Sequence, residues 1–390
     1  MAYEQPSGRT GHVAVFYKNC MLVWGGYKVN FVPQEAANVN NNRYLPGSEL
    51  WIYDPLTEKW LLKICHGTPP PGTSGATAVM VSDYMYLFGG YCDNGNTNDL
   101  YRLNLETLEW TYIEPKGSPP TPSDKMVGWE YKDKIYFFGG FGVLPTFGIK
   151  KQPDFQFVLD PTTPWMYRRG WNNQLVMFDT EKGIWSWPEY NGPVPDARAA
   201  HAACRVGHFV YIFGGRHQHV RQNDTHCLNL ETMTWSGKLS TLGPQPQGRS
   251  WHSLTTISQD VILLYGGFSQ HNEPLSDCWQ LNISTLTWLQ VDLSFTKPRL
   301  WHTACLTSYG EVIIYGGCTE NILNRTIVAE HASNLIILRF SPKTLFRLSL
   351  DRIIQYNAIL QPFWSMLPYT LQAILNLRMS SGRHTSLGGS

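Results

Sequence analysis

The chain has 390 residues, two to three times the length of an ordinary domain or the length of one large repetitive fold. Lys plus Arg number 31 against 30 Asp plus Glu, and this balance argues against a dominant nucleic-acid or anionic-membrane binder, leaving room only for local basic clusters. Hydrophobic residues at 43%, with 15 Trp, 20 Tyr and 17 Phe, exclude a mostly disordered chain, while 34 Gly and 25 Pro predict many turns between short strands. Met1 to Arg9 carries no apolar run after a basic start, so no secretory signal is read there. The eight cysteines are scattered without a Cys-x-x-Cys pair and are expected as reduced, mostly buried thiols.

An apolar run ending in Gly-Gly recurs along the chain at Gly25-Gly26, Gly89-Gly90, Gly139-Gly140, Gly214-Gly215, Gly266-Gly267 and Gly316-Gly317. A short strand precedes each pair, often opened by His (His12, His201, His252, His302). A second apolar segment follows most pairs, and then a Trp in five units: Trp60, Trp110, Trp185, Trp235 and Trp288. Each unit reads as four short strands, since none of the runs has a 3.6-residue period. Such a sheet cannot bury both faces alone, whereas six arranged radially bury each face against a neighbour. The expected fold is all-β, a six-bladed propeller over residues 1–341.

From Arg9 to Phe340 the pattern resembles the kelch repeat family. The resemblance implies that the glycine pairs allow close backbone approach and that the Tyr and Trp pack between blades. The last unit departs from it, reading Leu338-Arg339-Phe340-Ser341-Pro342 where its Trp is due. Its fourth strand is either absent or supplied by the segment before Arg9.

Antiparallel order within a blade brings the residues before the first strand and those after Gly-Gly to one face. That mouth receives Tyr27, Tyr91, Phe141, Arg216, Phe268 and Cys318, with Arg221 close behind Arg216, and also Lys125, Ser250-Trp251 and Trp301. Few acids accompany them. Guanidiniums between aromatic walls suit a carboxylate or phosphate on a slender group, because Arg meets a carboxylate with two parallel bonds. Arg9, Arg198, Arg249 and Arg299 recur at one repeat position and are expected to tie neighbouring blades through backbone carbonyls, whereas Arg216 and Arg221 occur in one blade only. The recurring histidines are expected as core hydrogen-bonding groups. Two insertions flank the mouth: an Asn-rich stretch from Lys28 to Gly47, and one from Gly142 to Gly170 carrying Phe147, Phe155, Phe157, Trp165, Met166 and Tyr167. The second is expected to wall one side, with Trp171 facing in.

After Pro342 the composition turns helical. Thr344 is an N-cap candidate, and Leu345, Ser349 and Ile353, four apart, share one helical face. A second helical turn opens at Leu367-Pro368 and continues through Leu371 to Leu375. The stretch from Ile353 to Leu377 has no charged residue, yet its prolines and amides make it a poor membrane span, so no membrane association is expected.

The first of these runs resembles the elongin-binding box, with Leu345 and Ile353 in register and Ser349 where Cys is usual. The second is similar to the box that engages cullin-2. With the ring, they make the chain resemble the kelch-propeller substrate receptors of cullin-2 ubiquitin ligases, which recognise C-terminal degrons ending in Gly-Gly. The resemblance implies partners elongin B, elongin C and cullin-2, no cofactor, no catalysis by this chain, no nucleic acid, and a place in nucleus and cytoplasm. It assigns carboxylate binding to Arg216, Arg221 and Ser250, and pocket lining to Tyr27, Lys125, Phe141, Trp171, Trp251 and Trp301. A near relative in that group carries Tyr at the position of Phe141, so one hydroxyl is missing here. The helical boxes are expected over 342–378 and a flexible tail over 379–390. The tail ends Gly388-Gly389-Ser390, a near-copy of the expected ligand, and reaches about 40 Å when extended, so self-association through it is an expectation. Two rival readings stay open: a metal- or sugar-acting enzyme on the same ring, for which His217, His219 and His226 are the candidates, and a scaffold or cytoskeletal kelch protein without ligase partners.

Overall fold

A computed structural model describes residues 5–29, 42–145, 152, 154–163, 168–293, 297–324 and 329–380. Among the described residues six sheets of three or more strands succeed one another along the chain, their successive blade strands antiparallel, beside two small two-stranded sheets. Blade I pairs Val13–Tyr17, Cys20–Trp24, Glu49–Asp54 and Lys59–Ile64 in that order. Blades II to V repeat the scheme, and blade VI has three strands: Thr303–Leu306, Glu311–Tyr315 and Ile336–Arg339. This is a six-bladed β-propeller followed by a short helical segment.

The Trp of each fourth strand packs against the blade before it. Ring centroids lie 5.7 Å apart for Trp110 and Trp24, 5.0 Å for Trp185 and Phe88, 5.1 Å for Trp235 and Phe138, and 5.2 Å for Trp288 and Phe213. Trp60 closes the ring on Tyr315 of blade VI at 4.9 Å. Each of these aromatic plates removes a large apolar area from water and fixes the angle between blades.

Two backbone circuits also join the blades. The second glycine of most pairs donates to the carbonyl at the start of the next blade: Gly140 to Arg198, Gly215 to Arg249 and Gly267 to Arg299, at 2.8–2.9 Å. Gly317 completes this circuit on Arg9 at 2.8 Å. Nearer the axis, Gly75, Lys125, Ala200, Trp251 and Trp301 each donate at 2.8 Å to the carbonyl of the preceding blade's equivalent residue, and Gly11 donates to Trp301 at 3.3 Å. All six ring residues have positive φ, between 55° and 67°.

These contacts settle how the last blade is joined. The segment before Arg9 adds no fourth strand among the described residues. It is held by the Tyr315 hydroxyl, which donates to the carbonyls of Pro6 and Ser7, and by the Gly317–Arg9 bond. The recurring arginines correct their expectation in part. Their backbone carbonyls link neighbouring blades, but their side chains bond inside their own blade: Arg198 to the Gly214 carbonyl and both oxygens of Asp224, Arg249 to the Gly266 carbonyl and both oxygens of Asp277. All eight cysteines are free thiols, six of them buried.

The opening histidines are buried between blades. His12 and His302 bond the hydroxyls of Thr303 and Ser253 through Nε2, His252 bonds the Phe213 carbonyl, and His201 sets its edge against Phe138. Burial, reinforced by the charge of the nearby arginine, pulls His12 and His252 well below their ordinary value and His201 and His302 to about 3. The unfolded chain binds these protons near pH 6.5 and the folded chain does not, so stability is full above that pH and falls as the pH drops from 6.5 toward 3. Each histidine contributes up to about 1.4 kcal/mol per pH unit in that window. We expect urea midpoints to fall steadily between pH 7 and pH 5, and His201→Asn to flatten the slope by about one proton.

The helical segment comprises α1 (Leu345–Gln355), α2 (Asn357–Leu360), a 3-10 turn (Gln361–Met366) and α3 (Tyr369–Met379). Thr344 caps α1, its hydroxyl accepting from Arg347 N at 3.3 Å, while Pro368 is the N-cap of α3 rather than its first residue. Leu350, Trp364 and Leu375 form a small core against Leu56 of blade I. Buried Arg347 reaches Glu311 of blade VI at 3.2 Å, and buried Arg378 reaches the Leu56 carbonyl at 2.7 Å and Glu58 at 3.3 Å. Leu56 and Glu58 lie in the turn after Glu49–Asp54, and Glu311 starts its strand, so both anchor points are at the strand ends opposite Gly-Gly. Among the described residues no helix is long and apolar enough to cross a membrane.

Candidate functional site

The glycine-pair face holds a cavity of about 630 Å³ to which every blade contributes a residue. Its basic side comes from blade IV. After Gly214-Gly215 the chain makes a tight hairpin in which Arg216 pairs with Arg221 and His217 with Val220. Gln270 of blade V clamps this hairpin, accepting from Arg221 N at 2.7 Å and donating to the His219 carbonyl at 2.8 Å.

Arg221 is buried, with Nε donating to Ser250 Oγ at 3.1 Å and its guanidinium 4.6 Å from the Phe268 ring centre. Burial, and then the charge of Arg216, lower it to about 10, which leaves it cationic at neutral pH. Arg216 is half-buried, donates to the Gln218 carbonyl at 2.7 Å and lies 5.5 Å from the Trp171 ring centre. Among the described residues neither guanidinium has a carboxylate within salt-bridge distance. Arg198 and Arg249, by contrast, are each neutralised by an Asp of their own blade.

Aromatic walls enclose the rest. Trp171 meets Phe141 edge-on at 5.1 Å. Trp251 and Trp301 stack at 5.1 Å with 17° between planes, and Tyr27 meets Trp301 edge-on at 5.8 Å. Lys125 Nζ lies 5.2 Å from the Trp301 ring centre and is ion-paired with Asp124. Burial lowers the Lys125 ammonium, and Asp124 opposes that shift. The structure therefore brings Tyr27, Lys125, Phe141, Trp171, Arg216, Ser250, Trp251 and Trp301 into one cavity, with Arg221 directly behind Ser250.

Some neighbours escape the sequence pattern. Asp124, buried at the mouth, is one of two acids among the lining residues, Asp160 being the other; it also lies 3.8 Å from Arg169. The Arg169 guanidinium sits 4.7 Å from the ring centres of both Tyr91 and Phe141. Adjacency to Lys125 and to Trp171 was the available signal for these two. Ser74, Tyr44 and Leu323 complete walls built by other blades. Phe268 and Cys318, expected at the mouth, are fully buried beneath it.

The second insertion supplies a strand, Phe157–Leu159, paired with Arg169–Asp179, and Asp160 and Thr163 beyond it line the cavity. Phe155 packs on Trp187 instead. Phe147, Trp165, Met166 and Tyr167 lie outside the described residues, as does the Gly388-Gly389-Ser390 tail.

On the opposite face, Leu345 and Ser349 are exposed and Ile353 is half-buried. Of the second box, Pro368 is exposed, Leu367 and Leu371 are half-buried, and Leu375 is fully buried in the helical core. Leu375 therefore holds the segment together rather than offering a contact. Among the described residues no group of three or more His, Cys, Asp or Glu is placed to hold a metal ion. Of the histidines considered for one, His226 bonds Asp224 at 2.8 Å and His217 bonds the Ala197 carbonyl.

Comparison with known proteins adds independent observations. The family model described as the KLHDC2/KLHL20/DRC7 Kelch-repeats domain matches residues 1–165, 36–267 and 166–335. Kelch domain-containing protein 2 of Bos taurus is 43% identical over 383 residues, covering 96% of this chain and 92% of that protein. Kelch domain-containing protein 1 of Homo sapiens is 40% identical over 367 residues, covering 92% and 87%. Kelch domain-containing protein 10 of Rattus norvegicus is 25% identical over 327 residues, covering 81% and 72%.

Proposed function

The chain belongs to the KLHDC2/KLHL20/DRC7 kelch-repeat family, and from that premise we propose that it is a non-catalytic substrate receptor of a cullin-2, elongin B and elongin C ubiquitin ligase, binding polypeptides by C-termini of the Gly-Gly type. The observation that carries the reading is Arg216 and Ser250 lining an aromatic cavity with Arg221 bonded to Ser250 from behind it, neither arginine having an acidic partner among the described residues. A free C-terminus offers a carboxylate that no internal peptide has, so two guanidinium forks and a hydroxyl distinguish ends from middles. Glycines at the end lack Cβ and bring the backbone deep between the Trp171 and Trp251–Trp301 walls, where larger side chains would clash.

The helical segment supports the second half of the proposal. It is anchored on the face opposite the cavity, so a ligand at the mouth leaves Leu345 and its neighbours free for the ligase subunits. Leu345, Met366 and Tyr369 are each more than 80% exposed, an apolar surface suited to partner docking.

The test uses a peptide ending in Gly-Gly with a free carboxylate against the same peptide amidated, titrated calorimetrically into the full chain. Loss of the charge-assisted bonds is expected to cost about 2–5 kcal/mol, so the amide should bind at least thirtyfold more weakly. Equal affinity for the two would overturn the reading. Failure to co-purify with elongins, with peptide binding intact, would favour a kelch scaffold without ligase partners.

A further inference from the structure

Trp301 occupies one of the six equivalent axial ring positions, the others being Gly11, Gly75, Lys125, Ala200 and Trp251. A Cβ on Gly11 would fall 3.0 Å from Cε2 and Cζ2 of the Trp301 indole and 3.2 Å from Ser74 Cβ. One on Gly75 would fall 3.3 Å from the indole Cζ2 and 3.4 Å from Asp124 Cβ and Lys125 Cγ, so the indole is the nearest neighbour of both. The same indole stacks on Trp251, and Lys125 Nζ approaches its ring. One side chain from blade VI thus touches ring positions of blades I, II, III and V, which requires it to lie across the axis. Beneath the mouth is a second, axial cavity lined by His12, His201, His252 and His302, and it shares Lys125, Ala200, Trp251 and Trp301 with the first. The stacked indoles partition the two.

We infer that Gly11 and Gly75 are positioning residues of the binding site, whose missing side chains let the Trp301 indole lie flat as the floor of the mouth. The left-handed backbone alone does not call for glycine, because Lys125, Ala200, Trp251 and Trp301 hold φ of 55–57° at the same ring position. What positions 11 and 75 share is the Trp301 indole as the nearest neighbour of the missing Cβ. A floor at this depth stops a ligand from threading the axis and sets how far its last residue descends beside Arg221. The functional meaning of the floor rests on the C-terminus-binding reading above.

The experiment introduces Gly75→Ala into the full chain and reads near-ultraviolet circular dichroism, thermal unfolding and affinity for the free Gly-Gly peptide. A methyl at position 75 tilts the indole, so the signal of the coupled Trp251–Trp301 pair is expected to fall and the affinity to drop about tenfold while Tm moves by only a few degrees. In a Trp301→Ala background the same substitution should change affinity less than twofold, since its effect runs through the indole. An equal loss in both backgrounds, or a folded Gly75→Ala protein with unchanged dichroism and affinity, overturns the inference. Gly11→Ala carries the same expectation, and failure of both variants to fold would assign the glycines to folding alone. If wild type does not bind the peptide, the C-terminus reading falls while the dichroism still reports on the floor.

Discussion

Arg221→Met is expected to abolish measurable binding of a Gly-Gly-ending peptide and to leave the propeller as stable as wild type or slightly more so. The two effects separate because of what surrounds the guanidinium. Arg221 is buried beside Ser250 and over Phe268, and burial and Arg216 both disfavour its charge in the free protein. Among the described residues no carboxylate is orphaned by its removal, so the usual destabilisation from breaking a buried ion pair does not arise. In the proposed reading a ligand carboxylate meets, beside Ser250, a charge that burial leaves poorly hydrated. Truncating such a partner costs about 2–5 kcal/mol, or roughly thirty- to several-thousandfold in Kd. Calorimetry and thermal unfolding on the same sample check both halves, and wild-type affinity in the variant would remove the carboxylate site from the proposal. Arg249→Met makes the control with the opposite outcome: it strands Asp277, which it grips with both nitrogens, and should destabilise the fold.

Arg347→Ala combined with Arg378→Ala is expected to release the helical segment from the propeller while peptide affinity stays within twofold of wild type. Both arginines are buried and bridge the helices to Glu311, Glu58 and the Leu56 carbonyl. Removing one partner of a buried pair such as Arg347–Glu311 typically costs about 3–5 kcal/mol. Arg339, which also bonds Glu311 at 2.7 Å, puts it at the low end, while the half-exposed Glu58 makes the Arg378 pair the weaker of the two. What then remains against the propeller is the contact of the helical core, Leu350, Trp364 and Leu375 with the partly buried side chains around them, with Leu56, the one propeller residue in that cluster. Limited proteolysis near Pro342 should accelerate, and capture of elongins and cullin-2 should fall at least tenfold. Retention of both at wild-type levels would show that docking does not depend on the anchored geometry. Simultaneous loss of peptide binding would show that the two faces are coupled.

How much of the site could be read without coordinates differs from residue to residue. Arg216 and Arg221 stand out because they break a six-fold pattern, and a departure from a repeat is visible in one dimension. Arg198 and Arg249 illustrate the converse: recurrence marks them as structural, yet their Asp224 and Asp277 partners lie 26 and 28 residues away and emerge only when the blade pairs its strands. Asp124 and Arg169 belong to the mouth through the convergence of strands 45 residues apart, which no local spacing encodes. In the helical segment, the four-residue spacing places Leu345, Ser349 and Ile353 on one face, but says nothing of which face the propeller covers. Leu375 fits a partner-binding pattern and is instead the centre of the segment's own core.

The sequence by itself determined the propeller, because glycine pairs and tryptophans repeated at blade intervals can bury both sheet faces only by closing on themselves. It also determined that one blade would present two unmatched arginines. Tertiary structure alone decided how six ring residues of four kinds share one axis: Trp301 swings over Gly11 and Gly75, Trp251 stacks behind it, and Lys125 turns to Asp124. The backbone repeats, so it is legible from periodicity. Side-chain direction at the axis depends on the size of neighbours from other blades, a quantity defined only once the ring is shut.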